Sequence, residues 1–210
     1  MDTAHLFSVP ISTSFIGPIP TEVIAFAKNI EYVPWYSKED YFLSISKERQ
    51  VLDQYAEFFE LKQQIMAAAE IYWREVICAD WSINLKIRHS WLTRHHKDEF
   101  NPRHTHSTSL FTATAYLQAN DSCGDLVFRK DPNYLNLFPS MIDLDYHTHT
   151  PINTKIYSVS PKDNMIVFFP SHMLHETQPN KSDVDRYALN VDFWFEGTVR
   201  KNSRGFDSTF

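Results

Sequence analysis

Glycine is scarce in this chain, at 4 of 210 residues. Neither GxGxxG nor a P-loop of the GxxxxGK type occurs, which argues against a glycine-rich phosphate cradle. Cysteine is scarcer still. Cys78 and Cys123 are the only two, they form no CxxC, and so sparse a count fits a reducing, cytoplasmic setting better than a disulfide framework. An excess of basic residues is also missing. With 20 Lys and Arg against 26 Asp and Glu, the formal net charge is -6, so a nucleic-acid partner is not expected. No apolar run approaches the roughly 18 residues that span a bilayer. The opening Met1-Asp2-Thr3-Ala4-His5 lacks the basic-then-apolar plan of a secretory signal. The expectation is a soluble cytoplasmic protein with no membrane partner. What is abundant is core-forming material: 43% hydrophobic residues, with aromatics at 15%, enough for a sizeable globular core.

Residues 6–16 are rich in β-formers and predict an initial strand, which Pro10 confines to an edge or a strand end. Gly17-Pro18-Ile19-Pro20 breaks the chain, and residues 21–31 fit a short helix. Between 48 and 78, apolar residues recur at Leu52, Tyr55, Phe58, Phe59, Leu61, Ile65, Ala68, Tyr72 and Val76. Steps of three and four describe one buried helical face, with room for one break, packed on a sheet. After Trp81 the period changes to two. Strands are expected at 84–92, 109–118, 125–129, 155–160, 164–169 and 186–195, with turn-forming chemistry between them. Short strands in series behind gathered helices predict a mainly β fold with N-terminal helices, a sandwich or barrel. No repeat or composition shift divides the chain. It reads as a single domain, 1–210, with 1–80 as strand and helical support and 81–200 as the β core. The irregular stretch 130–153 has the length of a lid or binding loop.

The chemistry centres on histidine. His104-Thr105-His106 would place both imidazoles on one face of a strand, a start for a metal site that needs a third ligand. Chance alone supplies roughly half an HxH pair in a chain with 10 histidines, and His147-Thr148-His149 is a second such pair. Context separates them. His147 and His149 lie in the irregular stretch and read as exposed loop residues. His104 and His106 precede a strong strand, and His175 follows another, Met165-Ile166-Val167-Phe168-Phe169, after a Pro170-Ser171 break. Arg186 heads the next strand. His172 reads as an exposed turn residue, and His89, His95 and His96 have no partner visible in the sequence.

A series of words runs through nearly the whole chain. It comprises Leu6-Phe7-Ser8-Val9-Pro10-Ile11, Ser90-Trp91, His104-x-His106-x-x-Ser109, Tyr116-Leu117, Gly124-Asp125-Leu126-Val127-Phe128, Asp131-Pro132, Pro170-Ser171-His172-Met173-Leu174-His175, Pro179-Asn180 and Arg186. In this order it resembles the iron(II)/2-oxoglutarate-dependent oxygenases, closest to the bacterial and phage group related to the prolyl hydroxylases. The resemblance implies a double-stranded β-helix, the jelly roll shared with the cupins. It also implies Fe(II) as metal, 2-oxoglutarate as co-substrate, and O2 as oxidant. His104 matches the first metal ligand and His175 the distal one. Arg186 matches the cation that pairs with the far carboxylate of 2-oxoglutarate, a task suited to a planar guanidinium, with Tyr116 as a further hydroxyl donor. The implied reaction is hydroxylation of a C–H bond in an amino acid, peptidyl residue or small metabolite, releasing succinate and CO2. A homodimer is compatible with this reading.

Two positions depart from the pattern. Most of the superfamily has a carboxylate two residues after the first histidine; this chain has His106. Either three histidines hold the metal, the preferred reading, or His106 stands beside it and Asp125 or Asp131 serves instead. Ala188 replaces a serine that many relatives place two residues after the arginine, which implies a weaker grip on 2-oxoglutarate. Two alternatives remain: a cupin-type three-histidine dioxygenase that works without 2-oxoglutarate, against which Arg186 weighs, and a non-catalytic jelly-roll module that binds a small ligand.

Overall fold

Pro20 caps the first helix and ends the Gly17-Pro18-Ile19-Pro20 break that separates strand β1 (Ser12–Phe15) from helix α1 (Thr21–Asn29). The computed structural model describes residues 8–35, 43–130, 145–199 and 208–209. The strand expected at 6–16 is therefore the four residues of β1, and its first two positions lie outside the described residues. Strands β2 (Tyr32–Pro34) and β3 (Ser44–Ser46) follow. Neither was expected, because three residues carry no measurable period.

The long helical pattern resolves into α2 (Val51–Gln54), a 3-10 turn at Ala56–Phe58, α3 (Phe59–Ile71) and a wide π turn at Tyr72–Val76. Its break falls at Tyr55, whose extended backbone (φ -113, ψ 118) interrupts the helix. Leu52, Phe58, Leu61, Ile65 and Tyr72 are buried as expected, while Phe59 and Val76 are 59% and 42% exposed. The break and the π turn each shift the helical phase, and these two residues pay for it.

The remaining strands are β4 (Asn84–His95), β5 (Phe111–Gln118), β6 (Leu126–Arg129), β7 (Ile156–Val159), β8 (Met165–Pro170), β9 (His175–Thr177) and β10 (Arg186–Glu196), then the short pair β11 (Thr198–Val199) and β12 (Ser208–Thr209). An antiparallel seven-stranded sheet runs β1-β8-β5-β10-β4-β3-β2, and a three-stranded sheet runs β7-β6-β9. This is the double-stranded β-helix expected from the sequence.

The large sheet is covered on both faces. Phe111, Ala113, Ala115, Leu117, Leu189, Val191 and Phe193 face the helices and join Phe58, Leu61 and Ile65 in one core. Tyr116, Val167, Phe169 and Ala188 face the other way, against Leu126 and Phe128 of the small sheet. Double coverage is why β5 is buried along all but its last residue. Alternation on β10 sends Arg186, Ala188, Asn190 and Asp192 inward between the sheets. Register then sets His95 opposite Arg186, Thr93 and Tyr116 opposite Ala188, and Trp91 and Thr114 opposite Asn190. This grid of side chains is the floor of a pocket.

Candidate active site

His104 and His106 come from the segment between β4 and β5, and His175 begins β9. The segment is not the regular strand that the sequence pattern suggested. A single antiparallel bridge fixes it: His104 N–H donates to the His175 carbonyl at 2.9 Å, and His175 N–H returns the bond at 3.0 Å. Two residues on, His106 N–H donates to the Ser171 carbonyl at 2.8 Å. Backbone pairing with the strand that carries the third histidine, rather than strand alternation, brings the rings together. One nitrogen from each of His104, His106 and His175 lies within 4.8 Å of the others. Among the described residues no other such cluster of His, Cys, Asp or Glu occurs.

The same nitrogen is committed in all three rings. His104 Nδ1 donates to the Pro102 carbonyl at 2.8 Å and His175 Nδ1 to the Met173 carbonyl at 2.8 Å. His106 Nδ1 meets the Asp192 carboxylate at 2.7 Å. A carbonyl can only accept, so in His104 and His175 the proton sits on Nδ1, and the Asp192 contact orients His106 likewise. Each Nε2 then carries the ring lone pair, approached in His104 by Asn101 Nδ2 at 3.4 Å, the arrangement that orients imidazole ligands in metal sites. Asp192 is itself anchored: it accepts the Thr112 hydroxyl at 2.8 Å, and Thr112 contacts Ser171 at 2.9 Å. Burial holds the His104 imidazole down to about 4, helped by charge on His106 and opposed by the Pro102 carbonyl. Burial, then His104 and His106, holds His175 well below the usual range. Both are neutral at physiological pH, as a ligand must be. The chemistry of this donor set suits a divalent transition metal.

Asp125 does not join the cluster; it accepts the Ser160 hydroxyl at 2.8 Å. Asp131 lies outside the described residues. His147 and His149 are exposed, and so is His172, in a turn.

The Arg186 end of the pocket is also built for a ligand. Arg186 is 1% exposed, and its Nη1 donates to the carbonyls of Cys123 at 2.7 Å and Gly124 at 2.9 Å. Its Nη2 is buried with no hydrogen-bond partner, as are the Tyr116 hydroxyl, His95 Nδ1 and Asn101 Oδ1. All four residues line one pocket with the three histidines, of about 410 Å³ counted out to its open mouth. Each buried orphan costs about 1–3 kcal/mol unless something fills the site. A carboxylate would satisfy the guanidinium and the phenol together, so the residues fit 2-oxoglutarate. Burial holds the Tyr116 hydroxyl protonated, so it is a donor.

Sequence reasoning missed three residues here. Asp192 was readable, since steps of two from Arg186 put it on the pocket face. His95 and Asn101 were not, because only strand register and loop path bring them in.

Fold and site together define a jelly-roll protein with a histidine cluster at one end of its pocket and a buried arginine at the other. Residues 89–192 match the model of a family described as "Putative 2OG-Fe(II) oxygenase". This segment carries His104, His106, Tyr116, His175 and Arg186, and the chain belongs to the iron(II)/2-oxoglutarate-dependent oxygenases. No curated protein sequence matches. Among solved structures, the α-ketoglutarate-dependent epimerase SnoN from nogalamycin biosynthesis is similar over 95% of this chain and 84% of its own, at 14% identity and a TM-score of 0.63. A prolyl-4-hydroxylase from Pseudomonas putida is similar over 88% and 92%, at 14% identity and a TM-score of 0.55. HygX from Streptomyces hygroscopicus, with nickel and 2-oxoglutarate bound, is similar over 89% and 83%, at 13% identity and a TM-score of 0.58. At these identities the likeness speaks to the fold. No helix among the described residues is long and apolar enough to cross a membrane.

Proposed function

We propose that the chain is an Fe(II)- and 2-oxoglutarate-dependent dioxygenase that hydroxylates a C–H bond of an amino acid, a peptidyl residue or a small metabolite, releasing succinate and CO2. One observation carries the reading: three clustered imidazoles share a pocket with a buried guanidinium nitrogen that has no partner. His104, His106 and His175 would hold the metal, and Arg186 and Tyr116 the far carboxylate of 2-oxoglutarate. Bound Fe(II) supplies the activation of O2 that couples oxidation of 2-oxoglutarate to oxidation of the substrate. The chain's own work is to fix the three Nε2 atoms, seat the co-substrate between them and Arg186, and keep water out.

His106 as third ligand rests on its Asp192 contact. That bond gives His106 the same Nδ1-anchored orientation as its two partners, which a bystander does not require. Hydroxylation is proposed from the resemblance to the prolyl hydroxylases. An epimerase among the similar structures makes the product the point to test.

The experiment adds Fe(II) and 2-oxoglutarate without oxygen and looks for the visible metal-to-ligand charge-transfer band, then admits air and measures succinate. The band and succinate are both expected. If neither appears, the oxygenase reading fails, and a cupin-type enzyme or a binding module takes its place. His175→Ala abolishes both signals. Full activity in His106→Ala would remove that residue from the ligand set.

A further inference from the structure

His95 is the fourth histidine of the pocket and lies outside the three-histidine cluster. It is 2% exposed, sits directly opposite Arg186 across the β4–β10 pair, and its Nδ1 is buried with no partner. Directly opposed residues of an antiparallel pair project side by side on one face, so the ring stands next to the guanidinium. Tyr116 is one row further along, opposite Ala188. Three polar groups from three adjacent strands thus end in unpartnered atoms in one pocket: Arg186 Nη2, Tyr116 Oη and His95 Nδ1.

We propose that His95 is a co-substrate-selecting residue: its Nδ1–H donates a third hydrogen bond to the distal carboxylate of 2-oxoglutarate, beside Arg186 and Tyr116. This rests on the oxygenase reading above and deepens it. A carboxylate offers about four lone-pair sites, so one free guanidinium nitrogen and one hydroxyl do not saturate it. Ala188, in the row between Thr93 and Tyr116, brings no hydroxyl of its own. His95 supplies the missing donor from the neighbouring strand.

The other ring nitrogen has a partner that suits the Nδ1–H tautomer. Thr177 Oγ1 accepts the Asn101 N–H at 2.8 Å, which leaves the hydroxyl proton to be given away. Its contact with His95 Nε2, at 3.5 Å, is long; with the hydroxyl donating to a bare Nε2 it belongs to the tautomer that carries the ring proton on Nδ1, the one the proposal requires. Burial, reinforced by the Arg186 charge and then His96, keeps the ring neutral. A neutral donor beside a cation is what a single carboxylate calls for, since a second full charge would have no counterion.

The test titrates the Fe(II)-loaded protein anaerobically with two keto acids and follows the charge-transfer absorbance. 2-Oxoglutarate carries the distal carboxylate; pyruvate has the same chelating head without it. His95→Leu is expected to weaken 2-oxoglutarate binding about 10–100-fold, the effect of one hydrogen bond to a charged group, and to leave pyruvate within about twofold of the parent. His95→Asn, whose amide nitrogen stands near the place of Nδ1, is expected to recover most of the loss. Unchanged 2-oxoglutarate binding in His95→Leu overturns the proposal, and so does an equal loss for both keto acids, which would make His95 a packing residue. If the parent protein binds pyruvate but does not discriminate in favour of 2-oxoglutarate, the seat is absent and His95 has no such role. Failure of the parent protein to bind either keto acid sinks the oxygenase reading and this proposal with it.

Discussion

Asp192 carries two buried donors on one oxygen, the His106 ring and the Thr112 hydroxyl. Asp192→Ala removes their shared acceptor and leaves His106 Nδ1 only the longer Thr112 contact at 3.3 Å, whereas Asp192→Asn keeps an acceptor in place. Fe(II) affinity, measured by anaerobic titration, is expected to fall about 10–100-fold in the Ala variant, the usual range for losing a partner behind a metal-bound histidine, and by less in Asn. The histidines also tie stability to acidity. The His104 ring is depressed from 6.5 to about 4, so between these values the unfolded chain binds the proton and the folded chain does not. Stability is therefore full above about 6.5 and declines as pH falls towards 4. The metal-free protein is expected to melt lower at pH 5 than at pH 7 in calorimetry, with His175 acting in the same direction.

At the scale of elements, the turn before β6 governs Arg186. Gly124 adopts φ +83, and a Cβ there would collide with the Gln178 carbonyl and lie 2.7 Å from that of Pro179. Gly124→Ala must therefore move the Cys123 and Gly124 carbonyls that hold Arg186 Nη1. The expected result is a loss of about 2 kcal/mol or more, a melting point roughly 4–8 °C lower, together with weaker 2-oxoglutarate binding. Gly124, Tyr116, His175 and Arg186 were all legible as words of a familiar series, and the longer strands were legible from their alternation. β2, β3 and β9 were not, at three residues each. The rings of the His104-Thr105-His106 pair do lie together, but not for the local reason that the spacing suggested. They converge through a bridge to β9, a long-range pairing that no local period can signal. His95 stayed hidden on the same grounds: its meaning depends on which residue of β10 lies opposite.

For the whole molecule, the large sheet separates two tasks. Its helix-facing side holds the larger core, and its other side holds the pocket. Phe58, fully buried and edge-on to Phe26 at 5.5 Å, belongs wholly to the first. Phe58→Ala is expected to cost about 3–5 kcal/mol in denaturant unfolding with little change in KM for 2-oxoglutarate, because Phe58 packs in the helix-side core and does not line the pocket. The bridge between His104 and His175 crosses this division of labour. It fastens the segment ahead of β5 to the small sheet through two amide hydrogen bonds, and the same two residues are the ones proposed to hold the metal. Any excursion that parts the sheets must open those amides and scatter the ligands in one motion. Metal binding there would therefore act as a latch on breathing. Exchange of the His104 and His175 amide hydrogens should slow when Fe(II) or a redox-inert substitute is added, while exchange in α1, remote from the latch, continues at its former rate.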